Sequence, residues 1–509
     1  MSVAHAPRSA ASATGYRRHE PERTALYRIV ESTLPNFEAA LQSGERPVPR
    51  FVEREFEDYL ACGRLEHGFV RVKCDGCRHE HLVAFSCKRR GFCPSCGARR
   101  MVETSAHLVD HVLPHVPIRQ WVLSFPYPLR FLFASKPEAL SGCLAVVLRA
   151  IETDLIRRAD LTRACGARTG AVTVVQRFGS ALNLNVHLHM LIPDGVYTFE
   201  QGMPCFHEAG PPPAESLQRL TAQIVRRVYR RLVADGWLVE DELQPWLDLE
   251  ETDALDALRA ASVRYRVALG PGTGRRTTTL VDPSLTRTET VKPFTVNQHG
   301  YSLNAAVACP ADRRDRLERL CRYVTRPAIA LERLSLNRRG EVLLALKRSF
   351  RDGTTHLRFT PEDFMARLAA LVPRPRANLT RYHGVFAPAH PWRSSVTGTR
   401  RESAIPGSDR GIATCTGRTA RHCRHEHYHG GTVANDDQQA EFARPPKAPL
   451  TWAERLRRVF GIEITVCPHC GGRLRVIADV TDPDVIDQIL EHVRREGLPR
   501  APPMRRALP

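Results

Sequence analysis

The cysteines of this chain fall in spaced pairs, and this spacing constrains the fold more than any other feature. Among the fifteen cysteines of the 509 residues, the pairs Cys74-x-x-Cys77 and Cys93-x-x-Cys96 stand fifteen residues apart. Each pair lets two thiolates reach one tetrahedral ion, and the residues between the pairs can form a short hairpin. We therefore predict a structural zinc site with Cys74, Cys77, Cys93 and Cys96 as ligands.

Other side chains leave the ligand set open. Cys87, His79 and His81 lie between the two pairs and could replace one of the four thiolates. The basic stretches "CKRRGF" and "GARRM" at the rim of this segment favour contact with nucleic acid. Reduced cysteines without a metal are the alternative interpretation.

A third pair, Cys467-x-x-Cys470, supplies half of a candidate second zinc site. Cys415, Cys423 and the histidines of "RHCRHEHYHGG" are candidates to complete it. These candidates fall in 394–448, a stretch rich in Gly, Ser, Thr, Arg, Asp and His that lacks periodicity and is predicted to be a disordered linker.

The balance of charge indicates a polyanionic partner. Lys and Arg outnumber Asp and Glu by 74 to 55, which leaves a net charge of +19. Nucleic acid is favoured because arginine matches the geometry of phosphate oxygens, although codon bias in a GC-rich genome also enriches arginine. Neither a membrane span of ~20 apolar residues nor a signal-peptide core is recognisable, so we expect a soluble cytoplasmic protein without a membrane partner.

The stretch "NLNVHLHMLIPDGVY" at 183–197 alternates as a β-strand does. Alternate side chains of a strand share a face. One face is apolar and would pack on a core, and the other carries Asn185, His187 and His189. The two imidazoles are close enough in a strand to hold one divalent ion, but histidines at this spacing also occur without a metal.

A second candidate lies in "RLERLCRYVTRPAIA". Helical spacing places its apolar residues on one face and Tyr323 about 120° away, at 100° per residue. Pro327 disfavours helix at the residue before it, so Tyr323 falls in the last turn. On its side of the helix it is accompanied by Arg316, Arg319 and Arg326. Tyr323 is either a surface residue or, beside a metal, a nucleophile that attacks phosphorus.

Several stretches, in this order, resemble the IS91-type rolling-circle transposases, a family of HUH single-strand endonucleases. The matching segments include "SCKRRGFCPSCGARRM", "RQWVLSFP", "QRFGSALNLNVHLHMLIPDGVY", "RLERLCRYVTRPAIALERL" and "CPHCGGRLRVIA". The resemblance implies an α+β fold, namely an HUH nuclease core in which helices flank an antiparallel sheet. It also implies an N-terminal zinc-ribbon-like domain and a small C-terminal cysteine-knuckle unit.

The resemblance implies a role for each candidate residue. His187 and His189 match the histidine ligands of a catalytic Mg2+ or Mn2+ ion, and Gln176 is the candidate for the expected third ligand. Tyr323 matches the nucleophile, which would attack single-stranded DNA at element ends and keep a 5′-phosphotyrosine link before joining to target DNA. The three arginines beside it (Arg316, Arg319 and Arg326) are expected from helix geometry to hold the DNA backbone or the developing charge.

One position departs from the family pattern. Some members carry a second tyrosine four residues after the first, where this chain has Pro327. The chain therefore resembles the single-tyrosine subgroup, similar to the transposases of insertion-sequence common-region elements. Strand transfer would then need a DNA 3′-hydroxyl, a second subunit in a homodimer, or another tyrosine such as Tyr301 or Tyr382.

Two other functions are open at this stage. An HUH replication initiator or relaxase would use the same nicking chemistry without inserting DNA elsewhere. A catalytically inactive zinc-dependent DNA-binding protein would keep only the fold, although both histidines and Tyr323 are retained.

The expected organisation combines these motifs with periodicity. Helices are expected at 25–65, 137–159, 214–234 and 311–325, and strands at 171–179 and at the start of 119–133, with turns at the prolines after it and at Pro193-Asp194-Gly195. The expected domains are a disordered leader (1–24), a helical zinc-binding DNA-recognition domain (25–105), a catalytic domain (106–393), the linker (394–448), a small Cys-x-x-Cys unit (449–495) and a tail (496–509).

Overall fold

The computed structural model describes residues 14–15, 19–42, 48–240, 246–247, 253–270, 272–286, 292–398, 413–414, 451–460 and 462–496. Most of the predicted leader, linker and tail lie outside these residues, as do Cys415, Cys423 and the histidine-rich stretch. No helix in the described part of the chain is long and apolar enough to cross a membrane.

The N-terminal unit consists of α1 (Ala25–Gln42), α2 (Arg50–Ala61), β1 (Phe69–Cys74), β2 (Glu80–Ala84) and α3 (Pro94–His111). The helical pattern expected over 25–65 therefore divides into two helices. The second begins directly after Pro49, whose fixed φ suits the position before a first turn. The apolar stripe of α1, which includes Leu26, Ile29 and Val30, is buried in the main core.

The central unit contains both strands and helices. Its strands are β3 (Ile118–Ser124), β4 (Gly170–Phe178), β5 (Leu184–Pro193), β6 (Gly195–Glu200), β7 (Met203–Glu208), β8 (Thr278–Val281), β9 (Thr295–Gln298), β10 (Tyr301–Cys309), β11 (Leu334–Leu336), β12 (Val342–Ala345), β13 (Thr354–Phe359) and β14 (Thr380–Gly384). Its helices are α4 (Tyr127–Ser135), α5 (Pro137–Arg158), α6 (Ala214–Ala234), α7 (Ala254–Val263), α8 (Arg314–Thr325), α9 (Pro361–Leu371) and α10 (Arg393–Thr397). Two-residue strands lie at Thr14–Gly15, Leu238–Val239, Trp246–Leu247, Ala413–Thr414 and Ile462–Glu463.

A six-stranded antiparallel sheet forms the middle of the central unit, in the order β9–β10–β3–β5–β4–β14. A separate four-stranded sheet has the order β8–β13–β12–β11, and β6 pairs with β7. Antiparallel sheets covered by helices confirm the predicted α+β class.

The two faces of the six-stranded sheet pack against different helices. Leu184, Val186 and Leu188 of β5 point into a core shared with α4, α5, α6 and α7. The opposite face, which includes Val172 and Leu191, packs against α3 and α8. The alternation predicted for the histidine strand is confirmed, and its polar face is the one covered by α8.

Two of the predicted turns differ from the structure. Pro126 precedes α4 and Pro128 lies in its first turn, because proline fits a position where the helix needs no amide donor. After Pro193 the chain passes through Asp194 directly into β6, and the buried Asp194 accepts a hydrogen bond from Arg119 Nε at 2.9 Å.

The C-terminal unit consists of α11 (Trp452–Phe460), β15 (Leu474–Val480) and α12 (Pro483–Glu496). Asp482 caps α12, and its carboxylate accepts hydrogen bonds from the amides of Asp484 and Val485 at 3.0 and 3.1 Å. β15 pairs antiparallel with β1, which gives a three-stranded sheet in the order β15–β1–β2. The C-terminal unit thus adds a third strand to the N-terminal hairpin of β1 and β2.

Candidate functional site

The paired histidines lie in the middle of the six-stranded sheet. His187 stands opposite Gln176 of β4 on one side and Ser124 of β3 on the other. The side chains of His187 and His189 are buried, with 9% and 4% of their surface exposed. Their Nε2 atoms are 3.1 Å apart, so the two rings converge on one point.

Hydrogen bonds hold each imidazole in this orientation. His187 Nδ1 donates to the carbonyl oxygen of Asn185 at 2.8 Å, which leaves the lone pair of its Nε2 free. His189 Nδ1 lies 2.7 Å from the side-chain amide of Gln120. In the structure it is Gln120 Nε2 that faces this atom and donates to it, which leaves the proton of His189 on Nε2. A flip of the Gln120 amide would bring its oxygen to Nδ1 and free the lone pair of Nε2. In that orientation both histidines could act as neutral ligands through Nε2.

The charge state of the histidines agrees with this role. Burial lowers the pKa of His187 to about 4, with smaller contributions from the positive charges of Arg326 and Arg130. Burial also lowers the pKa of His189 to about 2, followed by the effect of His187. Neutral imidazole is the form that binds metal ions.

Gln176 connects the sheet to helix α8. Its Nε2 donates to the carbonyl oxygen of Val324 at 3.0 Å. Its Oε1 is buried and has no hydrogen-bond partner among the described residues. A buried amide oxygen left in this state calls for a further partner, so Gln176 has a donor atom to spare for an ion.

Tyr323 lies beside the histidines, in the last turn of α8. The predicted core face of this helix is confirmed, since Leu317, Cys321 and Val324 are buried whereas Tyr323 is 46% exposed. The Tyr323 ring centroid is 6.1 Å from that of His189, and the two planes are nearly perpendicular, at 89°.

The three predicted arginines differ in their surroundings. The Arg326 guanidinium carbon lies 4.3 Å from the centre of the Tyr323 ring, and its Nη1 donates to the Tyr323 carbonyl at 2.8 Å. Arg319 pairs with Asp315 at 2.7 Å on the exposed side of the helix. Arg316 is exposed. Only Arg326 is thus seen in contact with the tyrosine.

Two further residues belong to this site. Gln120 contacts His189 directly, and Arg130 is close enough to His187 to lower its pKa. Gln120 stands between Arg119 and Trp121 of β3, two residues from Val122, which pairs with His189. Strand alternation places it on the histidine face once the pairing of β3 with β5 is known. For Arg130, at the start of α4, the sequence carries no comparable signal.

The cysteines form two clusters, not the single predicted site. Cys93 and Cys96 form one cluster with Cys62 and Cys87. The Sγ atom of Cys96 lies 3.7 Å from that of Cys62 and 3.4 Å from that of Cys87, and the Sγ atoms of Cys93 and Cys62 are 3.7 Å apart. Sulfur atoms at the corners of a tetrahedron with Zn–S bonds of about 2.3 Å are about 3.8 Å apart. The cluster therefore fits zinc. Cys87 was a predicted alternative ligand, whereas Cys62, at the end of α2, lies outside the paired spacing and was missed.

Cys74 and Cys77 belong to the other cluster, together with Cys467 and Cys470. The grouping of Cys74 and Cys77 with Cys93 and Cys96 is thus corrected, because the hairpin β1–β2 turns the first pair toward the C-terminal unit. The expected half-site at Cys467 and Cys470 is completed by this pair, and the candidates in the linker lie outside the described residues.

Two models of known families match the chain, one over the zinc-binding cysteines of the N-terminal unit and one over the histidine and tyrosine residues. A family model described as "Transposase zinc-binding domain" matches residues 29–125, and one described as "Putative transposase" matches 170–394. The first range contains Cys62 and Cys87, and the second contains the histidine pair and Tyr323. No curated protein and no solved structure matches the chain.

These matches and this geometry define a DNA-processing enzyme, a transposase, which carries a zinc-binding domain near its N-terminus. The cysteine clusters and the zinc-binding match together support structural zinc. The two matches, over residues 29–125 and 170–394, together support an IS91-type transposase.

Proposed function

We propose that the chain is an HUH single-strand DNA endonuclease and strand transferase, which moves an insertion sequence by rolling-circle DNA transposition. The observation that carries this proposal is the position of Tyr323 at the ring of His189, whose Nε2 converges with that of His187. A tyrosine beside a divalent-ion site, in a protein with a net charge of +19, suits cleavage of a DNA phosphodiester.

His187, His189 and Gln176 would hold the divalent cation. Adjacent ligands of an ion with bonds of about 2.1 Å are about 3.0 Å apart, close to the separation of the two Nε2 atoms. The unpartnered Gln176 Oε1 supplies a third donor. Two imidazoles with one amide oxygen suit Mn2+ at least as well as Mg2+. The bound ion would polarise the scissile phosphate as a Lewis acid.

Tyr323 would carry the covalent step. Its hydroxyl oxygen attacks phosphorus, an O–P bond to tyrosine forms and the P–O3′ bond breaks. The tyrosine proton passes to solvent, since the side chain is 46% exposed, and the departing 3′ oxygen takes up a proton. The 5′-phosphotyrosine keeps the energy of the phosphodiester, so a later attack by a 3′-hydroxyl joins strands without ATP.

A basic cleft would guide single-stranded DNA to this tyrosine. The cleft, of about 110 Å³, lies between the N-terminal unit, which is the zinc-binding unit, and the six-stranded sheet. Its lining includes Arg89, Arg90, Arg100 and Arg326. Burial lowers the pKa of Arg90 and the charge of Arg100 lowers it further, against an opposite effect of Glu55. Phosphates of a DNA strand would place further anions beside these arginines. Arg316 and Arg319 would extend this path along α8.

The second tyrosine position of some relatives is filled here by Pro327, so one tyrosine would serve each chain. Tyr301 is buried against Phe125 on the opposite side of the sheet, which is unsuited to a second nucleophile. Tyr382 lies on the edge strand β14, two strands from β5. Release of the covalent intermediate by a DNA 3′-hydroxyl, or by the tyrosine of a second subunit, is the more consistent route.

The test is covalent trapping. Purified protein is incubated with single-stranded oligonucleotides of the element ends and Mn2+, and the product is resolved on a denaturing gel. We expect an adduct that Tyr323→Phe abolishes, while Tyr229→Phe, on α6 across the sheet, retains it. Adduct formation by Tyr323→Phe would contradict the assignment of the nucleophile, whereas no adduct with the native chain would favour the inactive DNA-binding alternative.

A second experiment distinguishes transposition from replication initiation or conjugative nicking. A donor plasmid carries a marked element between its ends, and a recipient reports insertion. Insertion that requires Tyr323 supports the transposase, whereas nicking without insertion favours an initiator or relaxase.

A further inference from the structure

We propose that Cys74, Cys77, Cys467 and Cys470 bind one structural zinc ion that fastens the C-terminal unit to the N-terminal hairpin. This ion would be distinct from the one at the cluster of Cys62, and the family matches end before its C-terminal ligands, at residue 394. The proposal rests on the sulfur geometry and does not depend on the nuclease chemistry.

The four sulfur atoms already have the spacing of a tetrahedral site. Cys74 Sγ lies 3.5 Å from Cys470 Sγ, and Cys77 Sγ lies 3.6 Å from Cys467 Sγ. All four lie within 4.8 Å of one another, and a zinc tetrathiolate has edges of about 3.8 Å.

Each Cys-x-x-Cys pair also has the turn that such a site needs. The amide of Gly76 donates to Cys74 Sγ at 3.3 Å, and that of Gly472 donates to Cys470 Sγ at 3.4 Å. A Cβ at Gly472 would come within 3.0 Å of Cys74 Sγ. Amide donors stabilise the thiolate form that binds zinc, and only glycine allows the two turns to approach so closely.

The surrounding contacts show what the ion would hold in place. β15 is the third strand of the hairpin sheet, and Ile486 and Leu490 of α12 pack with Phe69 and Leu82. The strand β15 and the helix α12 are the two elements that follow Cys470 in the chain. The ion would therefore fix the strand and the helix against the N-terminal hairpin.

The same unit reaches the helix that carries the nucleophile. Arg458 of α11, which precedes Cys467, pairs with Asp110 of α3 and with Glu318 of α8, each at 2.7 Å. By fixing the C-terminal unit, the proposed ion would also stabilise the contacts of Arg458 with α3 and α8.

The first test counts zinc in the native, full-length protein by native mass spectrometry. We expect two zinc ions per chain, one after Cys467→Ser/Cys470→Ser, and two in the control Cys165→Ser, which lies outside both clusters. One zinc or none in the native chain, or two in the double variant, would overturn the proposal. The count in the native chain stays decisive even where a variant fails to fold.

The second test reads the connection between the two units by hydrogen exchange. In Cys467→Ser/Cys470→Ser we expect amides of β1 and β15 to exchange at least tenfold faster, while those of β5 keep their native rates. Unchanged exchange in β1 and β15 would refute the proposal that the zinc ion holds the C-terminal unit on the N-terminal hairpin. Loss of zinc from Cys62→Ser should leave the exchange of β15 unaltered, and a rise there would show that the two clusters are not independent.

Discussion

At the scale of single residues, the site depends on hydrogen bonds that aim the histidines. Buried, neutral imidazoles bind an ion well only when the second ring nitrogen has a fixed partner. For His187 that partner is the Asn185 carbonyl, which belongs to the backbone and cannot be removed by substitution. For His189 it is the side chain of Gln120, so this residue offers a test that leaves every proposed ligand and Tyr323 in place.

We expect Gln120→Leu to weaken Mn2+ binding about 10- to 100-fold, because His189 loses the partner that orients its ring. The measurement is a calorimetric Mn2+ titration of the folded variant. Gln223→Leu, on α6 across the sheet, serves as the matched control and should bind like the native protein. Equal affinity in the two variants would mean that Gln120 does not position the ligand.

At the scale of elements, Tyr323, the proposed nucleophile, is positioned by helix α3 of the N-terminal unit. Arg314, at the start of α8, donates to the carbonyls of Val109, Leu113 and Pro114, at and beyond the end of α3. These bonds satisfy carbonyls that the end of α3 leaves without helical partners. At the other end of α8, Gly97 of α3 faces Pro327. Helix α8 is therefore held by α3 at both ends, and the Cys93–Cys96 pair lies in the first turn of α3.

Gly97→Ala tests this contact. The added Cβ would lie 2.7 Å from Pro327 Cβ, and the rigid ring cannot rotate away, so α8 must shift. We expect a loss of about 1–3 kcal/mol in the free energy of unfolding and slower adduct formation, since Tyr323 moves with Pro327.

Gly142→Ala, in the middle of α5, is the matched control. Its Cβ would meet the ends of the Arg231 and Asp235 side chains at 3.1 Å, which can move, and alanine favours helix by up to about 1 kcal/mol. Urea unfolding and trapping kinetics compare the two variants. If Gly97→Ala were as stable and as fast as Gly142→Ala, the packing of Gly97 on Pro327 would not set the position of the tyrosine.

At the scale of the whole molecule, part of the excess positive charge is concentrated in one cleft. Arginines of the N-terminal unit meet Arg326, the residue that contacts Tyr323, in the lining of one cleft. Binding of single-stranded DNA should therefore fall steeply with salt, as counterions compete for the phosphates.

We expect Arg90→Gln/Arg100→Gln to make the slope of log affinity against log salt shallower by about 0.7 for each phosphate that is no longer neutralised. Fluorescence anisotropy with a labelled single-stranded oligonucleotide between about 50 and 200 mM salt gives the slope. Arg495→Gln removes an arginine that pairs with Glu491 on α12 and should leave the slope as in the native chain. A slope unchanged by the cleft variant would exclude this path for the DNA.

Local patterns in the sequence were enough to predict the histidine strand and the tyrosine helix. Both follow from periods of a few residues, so the buried face of β5 and the exposed Tyr323 could be assigned before any tertiary contact was known. The α+β class and the family followed from the order of such motifs. Gln176 was named from its strand, although its unpartnered oxygen is visible only in the fold.

The pairing of the cysteines was decided by the tertiary structure alone. The spacing of Cys74, Cys77, Cys93 and Cys96 suggested one site, because sequence shows which thiols are near along the chain and not which converge in space. The hairpin and the strand β15 bring Cys470 to Cys74 across 396 positions, and the end of α2 brings Cys62 to Cys96. Sequence thus determined which residues are candidates to hold metal and to attack phosphate, and packing between distant elements decided which of them meet.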